Sequence, residues 1–272
     1  EIEFSDWSSD VCSSDLKSAW ILEQGDYVFY TGTDVRSASE AYSLTLPETV
    51  VRQCKSALGP LTAFKRMVNS GGKPEFEDVP LTGEAFPHDH AKLPAEIPQT
   101  GDRGIRLADV VNGKNTLEEF TAQLTDYDLS CIIRGEGMGS PKVTAGTAAA
   151  FGGVSDTLTA LGIPCACCDD GPSGMRLDCG TKAFSLPNGT LLASTFDRPL
   201  MTELFTFMGL EMHTNQVDCL LGPGMNIHRH PLNGRNFEYF SEDPYLTGEM
   251  ASAELAGLHS TGAEGTIKHF CG

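Results

Sequence analysis

The feature that most constrains the fold is an alternation of helix-like and strand-like segments from residue 114 onward. Strands separated by helices indicate parallel βα units. Asn115 is the expected cap of the first helix, whose first turn is acidic. The expected helices lie within residues 115–124, 153–162, 199–215 and 242–259, and the expected strands within 163–170, 217–224 and 265–270.

Each expected strand is followed by polar residues: Asp169-Asp170, Asn226 and Lys268-His269. Parallel strands place their C-terminal ends at the same edge, so we expect these side chains to converge. Functional groups in that position are typical of the active face of a TIM barrel. A doubly wound sheet also binds its ligand at strand C-termini, so this pattern alone leaves both folds open.

The sequence before residue 114 has a different character. Residues 17–54 have a β pattern with a turn at Gln24-Gly25-Asp26, which predicts strands that need further partners. Residues 55–113 are polar, aperiodic and punctuated by glycine and proline, which predicts a long linker or extended arm.

Composition excludes several classes of function. The net charge of −18 repels a phosphate backbone, so we expect no nucleic-acid partner. There is no run of 18 apolar residues, so no segment is expected to span a membrane. Three of the nine cysteines crowd into Cys165-Ala-Cys167-Cys168, inside an expected buried strand. This spacing favours free thiols in a reducing cytoplasm over a disulfide framework or a zinc site.

Two stretches go beyond a generic α/β pattern: "CDDGPSGMR" at 168–176 and "LLGPGMNIHRHPLNGRNFEYFSEDPYLTG" at 220–248, with "IKHF" at 267–270. Together they closely resemble glycoside hydrolase family 3, which contains many β-glucosidases. The resemblance covers residues 114–272 and implies the N-terminal part of a TIM (β/α)8 barrel. Residues 17–54 resemble the end of the fibronectin type III-like β-sandwich that members often carry, here in the inverted domain order.

The resemblance implies a retaining glycosidase acting on terminal non-reducing β-D-glucosyl residues, without metal or organic cofactor. Asp170 would accept hydrogen bonds from sugar hydroxyls. Four residues would donate hydrogen bonds to the sugar or orient neighbouring groups: Arg176, Arg235, Lys268 and His269. The family's nucleophile and its acid/base are expected outside this sequence, so we expect the chain by itself to be inactive.

Residues 1–16 are expected to be foreign to the protein. The family carries its nucleophilic aspartate in an S/T-D-W motif, and Ser5-Asp6-Trp7 has that pattern. However, residues 6–16 resemble the translation of a common DNA-sequencing adapter, and they lack any structural period. We therefore interpret Asp6 as a decoy rather than a catalytic residue.

Simpler interpretations were weighed for each motif. Asp170-Gly171-Pro172 has the composition of a turn, and Arg235 could form a surface ion pair with Glu238 or Glu242. Asp169 is expected to be a turn residue or to support its neighbour.

"RGEGMGSPK" lacks the helix and Walker sequence of a phosphate loop, and His88-x-His90 and His228-x-His230 are weak metal signals. The alternative functions are a β-xylosidase or N-acetylglucosaminidase of the same family, or a non-catalytic carbohydrate-binding α/β protein.

Overall fold

The computed structural model describes residues 2–4, 19–34, 36–54, 61–81 and 94–269. The chain divides into two compact units, Glu1–Pro94 and Ala95–Gly272. The expected adapter segment falls almost entirely outside the described residues, including Asp6 and Trp7. Its backbone at Ile2–Phe4 pairs with a later strand. The foreign origin of residues 1–16 stays a prediction.

The first unit is built from antiparallel strands, as the β pattern predicts. Its strands are β1 (Ile2–Phe4), β2 (Ala19–Leu22), β3 (Gly25–Thr31), β4 (Ser39–Leu46), β5 (Thr49–Gln53), β6 (Lys65–Ser70) and β7 (Lys73–Asp78). They form three sheets, with the orders β1-β3-β4, β2-β5 and β6-β7.

The predicted turn at Gln24-Gly25-Asp26 does not join two paired strands. β2 pairs with β5, whereas β3 pairs with β4. The two residues between β2 and β3 are Glu23 and Gln24, and neither has the tolerance for positive φ that a two-residue hairpin loop requires. The chain therefore changes sheets at this point.

The stretch predicted as a linker contains a hairpin, β6–β7. Gly71 and Gly72 adopt φ values of 59° and 81°, and the Gly72 amide donates to Oδ1 of Asn69 over 2.9 Å. Both strands are exposed and lack a buried face. Their sequences therefore show no alternation of apolar and polar residues that would predict a strand. A short helix over Leu107–Val111 also lies within this stretch. The domain boundaries proposed from the sequence stay a prediction.

The second unit has a mixed α/β fold. Its helices are α1 (Leu107–Val111), α2 (Leu117–Ala122), α3 (Asp126–Arg134), α4 (Asp156–Ala160), α5 (Gly189–Ala193), α6 (Arg198–Thr214) and α7 (Pro244–Ser260). Its strands are β8 (Glu136–Gly137), β9 (Ala149–Gly152), β10 (Cys165–Asp170), β11 (Cys219–Leu221) and β12 (Glu264–Gly265).

These five strands form one sheet in the order β12-β11-β10-β9-β8. The neighbours β10, β11 and β12 are parallel, which confirms the predicted βα units. β9 runs antiparallel to both β10 and β8, so this edge of the sheet is a hairpin rather than a further βα unit. The sequence analysis did not predict that hairpin.

The first helix of the predicted α/β region is capped one residue later than expected. The Thr116 hydroxyl accepts from the Glu119 amide over 3.1 Å, and the Glu119 carboxylate accepts from the Thr116 amide over 3.0 Å. This reciprocal pair is a capping box. Asn115 instead donates its side-chain amide to Glu119. The prediction of Asn115 as the cap was therefore wrong.

The main hydrophobic core lies between the sheet and helices α6 and α7. Five large apolar residues of this core have almost no exposure and belong to those helices or to β11: Phe205, Met212, Leu220, Met250 and Leu258. A second cluster packs α2, α3 and α4 together, with Ile105, Phe120, Leu124, Cys131 and Leu158 buried. The helices thereby fix the sheet from one side.

Candidate functional site

The C-terminal ends of the three parallel strands surround a cavity of about 370 Å³. That volume lies in the range typical of small-molecule sites. Asp170 is the last residue of β10, and Lys268 follows β12, where it bridges to Gly224 beyond β11. Four of the five predicted site residues line the cavity: Asp170, Arg176, Lys268 and His269.

We call the charged residues at the C-terminal ends of these strands the rim. An ion pair between Lys268 and Asp170 forms its centre. The Nζ atom of Lys268 lies 2.7 Å from Oδ1 of Asp170 and 3.9 Å from Oε2 of Glu238. The lysine side chain is only 13% exposed, whereas that of Asp170 is 37% exposed. One acceptor oxygen of Asp170 thus stands beside a largely desolvated cation, where electrostatic interactions are stronger than in water.

Arg235 joins this cluster through Glu238 and does not line the cavity. It precedes a short 3-10 helix, Asn236–Glu238, and its Nε donates to Oε1 of Glu238. This hydrogen bond is the main cause of a raised pKa of Arg235. The ion pair considered in the sequence analysis therefore exists, and it joins an exposed arginine to a buried glutamate. The sequence analysis missed Glu238 as a member of the site.

His269 is held by Asn226, which the sequence placed at the same edge of the sheet, and by Tyr239, which it did not identify. Its backbone N–H donates to Oδ1 of Asn226 over 2.8 Å, and its Nδ1 lies 3.1 Å from the same oxygen. The Tyr239 hydroxyl lies 3.2 Å from Nδ1 as well. Burial lowers the pKa of His269, and the nearby charges of Arg235 and Lys268 lower it further.

A tight loop returns Arg176 to the end of β10. Gly171 has φ 140°, and a Cβ there would stand 1.8 Å from the Gly174 carbonyl oxygen, so only glycine fits. The Arg176 amide then donates to the Asp170 carbonyl over 2.8 Å. Its guanidinium makes a two-point contact with Asp178, both distances being 3.1 Å. The loop thus orients a planar donor fork at the cavity edge.

Asp169 has a different environment from its neighbour. It is fully buried, and successive residues of a strand face opposite sides of the sheet. Burial is the main cause that raises the pKa of Asp169 to about 6. A second buried carboxyl, Glu254 on α7, has its pKa raised well above the ordinary value by the same cause. Asp169 therefore faces away from the cavity and does not line it.

No group of three or more potential metal-binding side chains occurs in the part of the chain that the structure describes. His88 and His90 lie outside the described residues. Within them, no helix is long and apolar enough to cross a membrane.

Comparison with known proteins gives consistent matches. Residues 101–272 match the model of the glycosyl hydrolase family 3 N-terminal domain. A beta-glucosidase from Ruminococcus albus is 66% identical over 255 residues, covering 93% of this chain and 27% of that protein. Beta-glucosidase A from Butyrivibrio fibrisolvens is 35% identical over 282 residues, covering 93% and 33%.

A crystal structure of a beta-glucosidase from Paenibacillus barengoltzii is also similar. It superposes with a TM-score of 0.72 and 50% sequence identity, over 93% of this chain and 29% of that one. The chain therefore spans between a quarter and a third of the length of these three proteins.

Proposed function

The chain belongs to glycosyl hydrolase family 3, and on that premise we propose that its protein hydrolyses terminal non-reducing β-D-glucosyl residues. The reaction follows the retaining mechanism, through a glycosyl-enzyme intermediate. The observation that carries the proposal is the Lys268–Asp170 ion pair at the C-terminal ends of the strands, inside the cavity. The names of the relatives support glucosides over the xyloside and N-acetylglucosaminide alternatives.

The proposed role of the rim is to bind the terminal sugar. A pyranose has vicinal hydroxyls that both donate and accept, and ionised groups of opposite sign form strong hydrogen bonds with them. Asp170 is the proposed acceptor. Lys268, His269 and Arg176 are proposed donors, and Arg235 is proposed to orient Glu238. Lys268 makes one bond to Asp170, so further donor and acceptor positions on both groups remain available to hydroxyls.

The proposal assigns the two catalytic carboxylates to other parts of a longer protein. A retaining glycosidase needs a nucleophile and an acid/base about 5–5.5 Å apart. Of the carboxylates described at this rim, Asp170 and Glu238 are engaged with Lys268 and Arg235 in charge pairs. These pairs hold both carboxylates in fixed positions, which suits hydrogen bonding to sugar hydroxyls.

Two further points belong to the proposal. We infer that the first unit derives from a fibronectin type III-like sandwich, since its strands β2–β5 and β3–β4 form separate antiparallel sheets. We also infer a reducing compartment such as the cytoplasm. The described cysteines are free, and four of them are buried.

The test compares two lysine-paired aspartates in the full-length protein. Asp170→Asn removes the negative charge of the proposed acceptor and replaces one of its oxygens by a donor. Asp156→Asn makes the same change in an exposed partner of Lys142 at a similar separation, 2.8 Å. Loss of a charged hydrogen bond costs about 1.5–3 kcal/mol. We expect Asp170→Asn to lower kcat/KM for 4-nitrophenyl β-D-glucopyranoside by about 10- to 100-fold. The Asp156→Asn enzyme should stay within about twofold of wild type.

The same assay discriminates the alternatives. The corresponding β-xyloside and β-N-acetylglucosaminide are measured in parallel with the glucoside. A higher kcat/KM for either of them would reject the glucosidase assignment. If no substrate is hydrolysed but glucose binds in a calorimeter, and Asp170→Asn weakens that binding, the protein is a non-catalytic sugar-binding protein instead. Equal activity of the two aspartate variants would reject the role of Asp170.

A further inference from the structure

Two cysteines lie one layer below the proposed sugar-binding rim. Cys168 precedes Asp170 by two residues on β10, and Cys219 precedes Leu221 by two residues on β11. Side chains two residues apart in a strand share a face, so both thiols point to the side of the sheet that carries the cavity. Their neighbours Cys167 and Leu220 point the other way and belong to the core beneath the helices.

The two cysteines are direct partners across the sheet. Cys168 is in register with Cys219 in the parallel ladder between β10 and β11. Adjacent strands lie about 4.8 Å apart. This spacing falls within the Cα separation at which two cysteine sulfurs can be bridged. The Cys219 sulfur also lies 3.0 Å from the hydroxyl of Thr266, a residue that lines the cavity.

Both thiols are reduced, and each residue is 7% exposed. A buried cysteine that only fills space needs no second sulfur beside it, since it packs as a small apolar residue. Here two soft donors are neighbours on adjacent strands, on the face of the sheet that carries the cavity. Thiolate sulfur is the protein ligand that soft, polarisable centres prefer.

We propose that Cys168 and Cys219 form a dithiol site that chelates thiophilic centres such as trivalent arsenic beneath the floor of the cavity. With an arsenoxide, two S–As bonds replace the arsenic–oxygen bond. The two thiol protons leave with that oxygen as water, and arsenic stays trivalent. The site requires both sulfurs, because a single thiol gives an adduct that other thiols readily displace.

Phenylarsine oxide is the probe for this site, used with the reduced chain and followed by intact mass. We expect one phenylarsenic unit per chain to persist in excess 2-mercaptoethanol and to be released by 2,3-dimercaptopropanol. Cys168→Ser and Cys219→Ser should each reduce the retained adduct at least tenfold. The matched controls, Cys54→Ser and Cys179→Ser, change exposed cysteines and should retain it. Circular dichroism verifies that each variant is folded.

A second measurement needs no substitution and covers the case of a variant that fails to fold. Dibromobimane alkylates two nearby thiols, and peptide mapping then identifies which two. We expect the crosslink to join Cys168 to Cys219. Retention of the arsenical by the Cys168→Ser/Cys219→Ser double variant would overturn the proposal. So would an unmodified wild-type chain, or a crosslink that joins Cys165 or Cys167 to Cys219 instead.

Discussion

At the scale of single residues, the rim is a row of alternating charges: Arg235, Glu238, Lys268 and Asp170. Two positive and two negative groups compensate each other in a partly desolvated place, where an unpaired charge would be costly. The row ends at the cavity with Asp170, the more exposed member of its ion pair. These charge pairs stabilise the folded chain. They thus also hold in place the side chains that are proposed to bind the sugar.

The buried carboxyl of Asp169 makes stability depend on pH. Because burial raises the pKa of Asp169 from 3.8 to about 6, the folded state binds this proton more tightly than the unfolded state. The resulting stabilisation is complete below about pH 4 and is lost as the pH rises through 6. We therefore expect Asp169→Asn to gain stability relative to wild type between pH 4 and pH 8, by on the order of 1–3 kcal/mol.

Urea denaturation of both proteins at several pH values measures this difference. Asp156→Asn is the control, because Lys142 lowers the pKa of the Asp156 carboxyl by hydrogen bonding to it. That variant should lose stability relative to wild type as the pH rises through the carboxyl range, the opposite sign. A difference between Asp169→Asn and wild type that is independent of pH would contradict the assignment.

Sequence reasoning located the residues at the ends of the strands but not those that support them. Asp170, Lys268 and His269 were predictable because they follow apolar runs within recognisable motifs. The contacts of Glu238 with Lys268 and of Asn226 with His269 were not predictable, because they join residues that are 30 and 43 positions apart in the chain. Asp169 and Asp170 are the same residue type, but they face opposite sides of the sheet. For that reason one is fully buried and the other is partly exposed.

At the scale of secondary-structure elements, the close approach of α6 and α7 determines how the helices cover the sheet. Gly257 on α7 faces the backbone of α6, where an added Cβ would stand 2.5 Å from the Thr202 carbonyl oxygen. The Thr202 hydroxyl meanwhile donates to the Ala253 carbonyl over 3.1 Å. The two helices touch backbone to backbone at this point, and a small residue is required there.

Two glycines on α7 should therefore respond to alanine in opposite directions. Gly257→Ala forces the helices apart, and we expect a loss of about 1–3 kcal/mol in the free energy of unfolding. Gly248 has no atom within 4 Å of the position that a Cβ would take. Gly248→Ala should gain about 0.5–1 kcal/mol, since alanine is the better helix former. Chemical denaturation of both variants and of wild type measures the free energy of unfolding. Equal effects of the two substitutions would contradict the packing of α6 against α7.

Helices α2, α4, α6 and α7 and the parallel strands were predicted from their hydrophobic patterns, whereas helices α1, α3 and α5 were not. The hairpins β6–β7 and β8–β9 were not predicted either. The first has exposed apolar side chains, including Met67 and Phe76, and the second begins in a two-residue strand. Short or solvent-exposed strands carry no alternation, so their pairing is visible only in three dimensions.

At the scale of the whole molecule, the two units differ in how much apolar surface they bury. Among the described residues of the first unit, only Ala19 is buried. Both hydrophobic clusters belong to the second unit. Since apolar burial is the dominant favourable contribution to folding, the second unit is expected to carry most of the stability.

Residues 95–272 alone should accordingly unfold at nearly the same temperature as the full chain. We expect the two midpoints to agree within about 4 °C, which corresponds to roughly 1 kcal/mol for a domain of this size. Calorimetry of both proteins measures this. A decrease well beyond that range would mean that the first unit contributes substantially to the folded state of the second.

The ion pair at the rim has a consequence for how the protein is made. Lys268 follows Asp170 by 98 positions in the chain. A ribosome adds about 5–20 residues each second, so the aspartate is exposed for about 5–20 s before its partner has even been synthesised. The ion pair is thus among the last contacts of this region to be completed during translation.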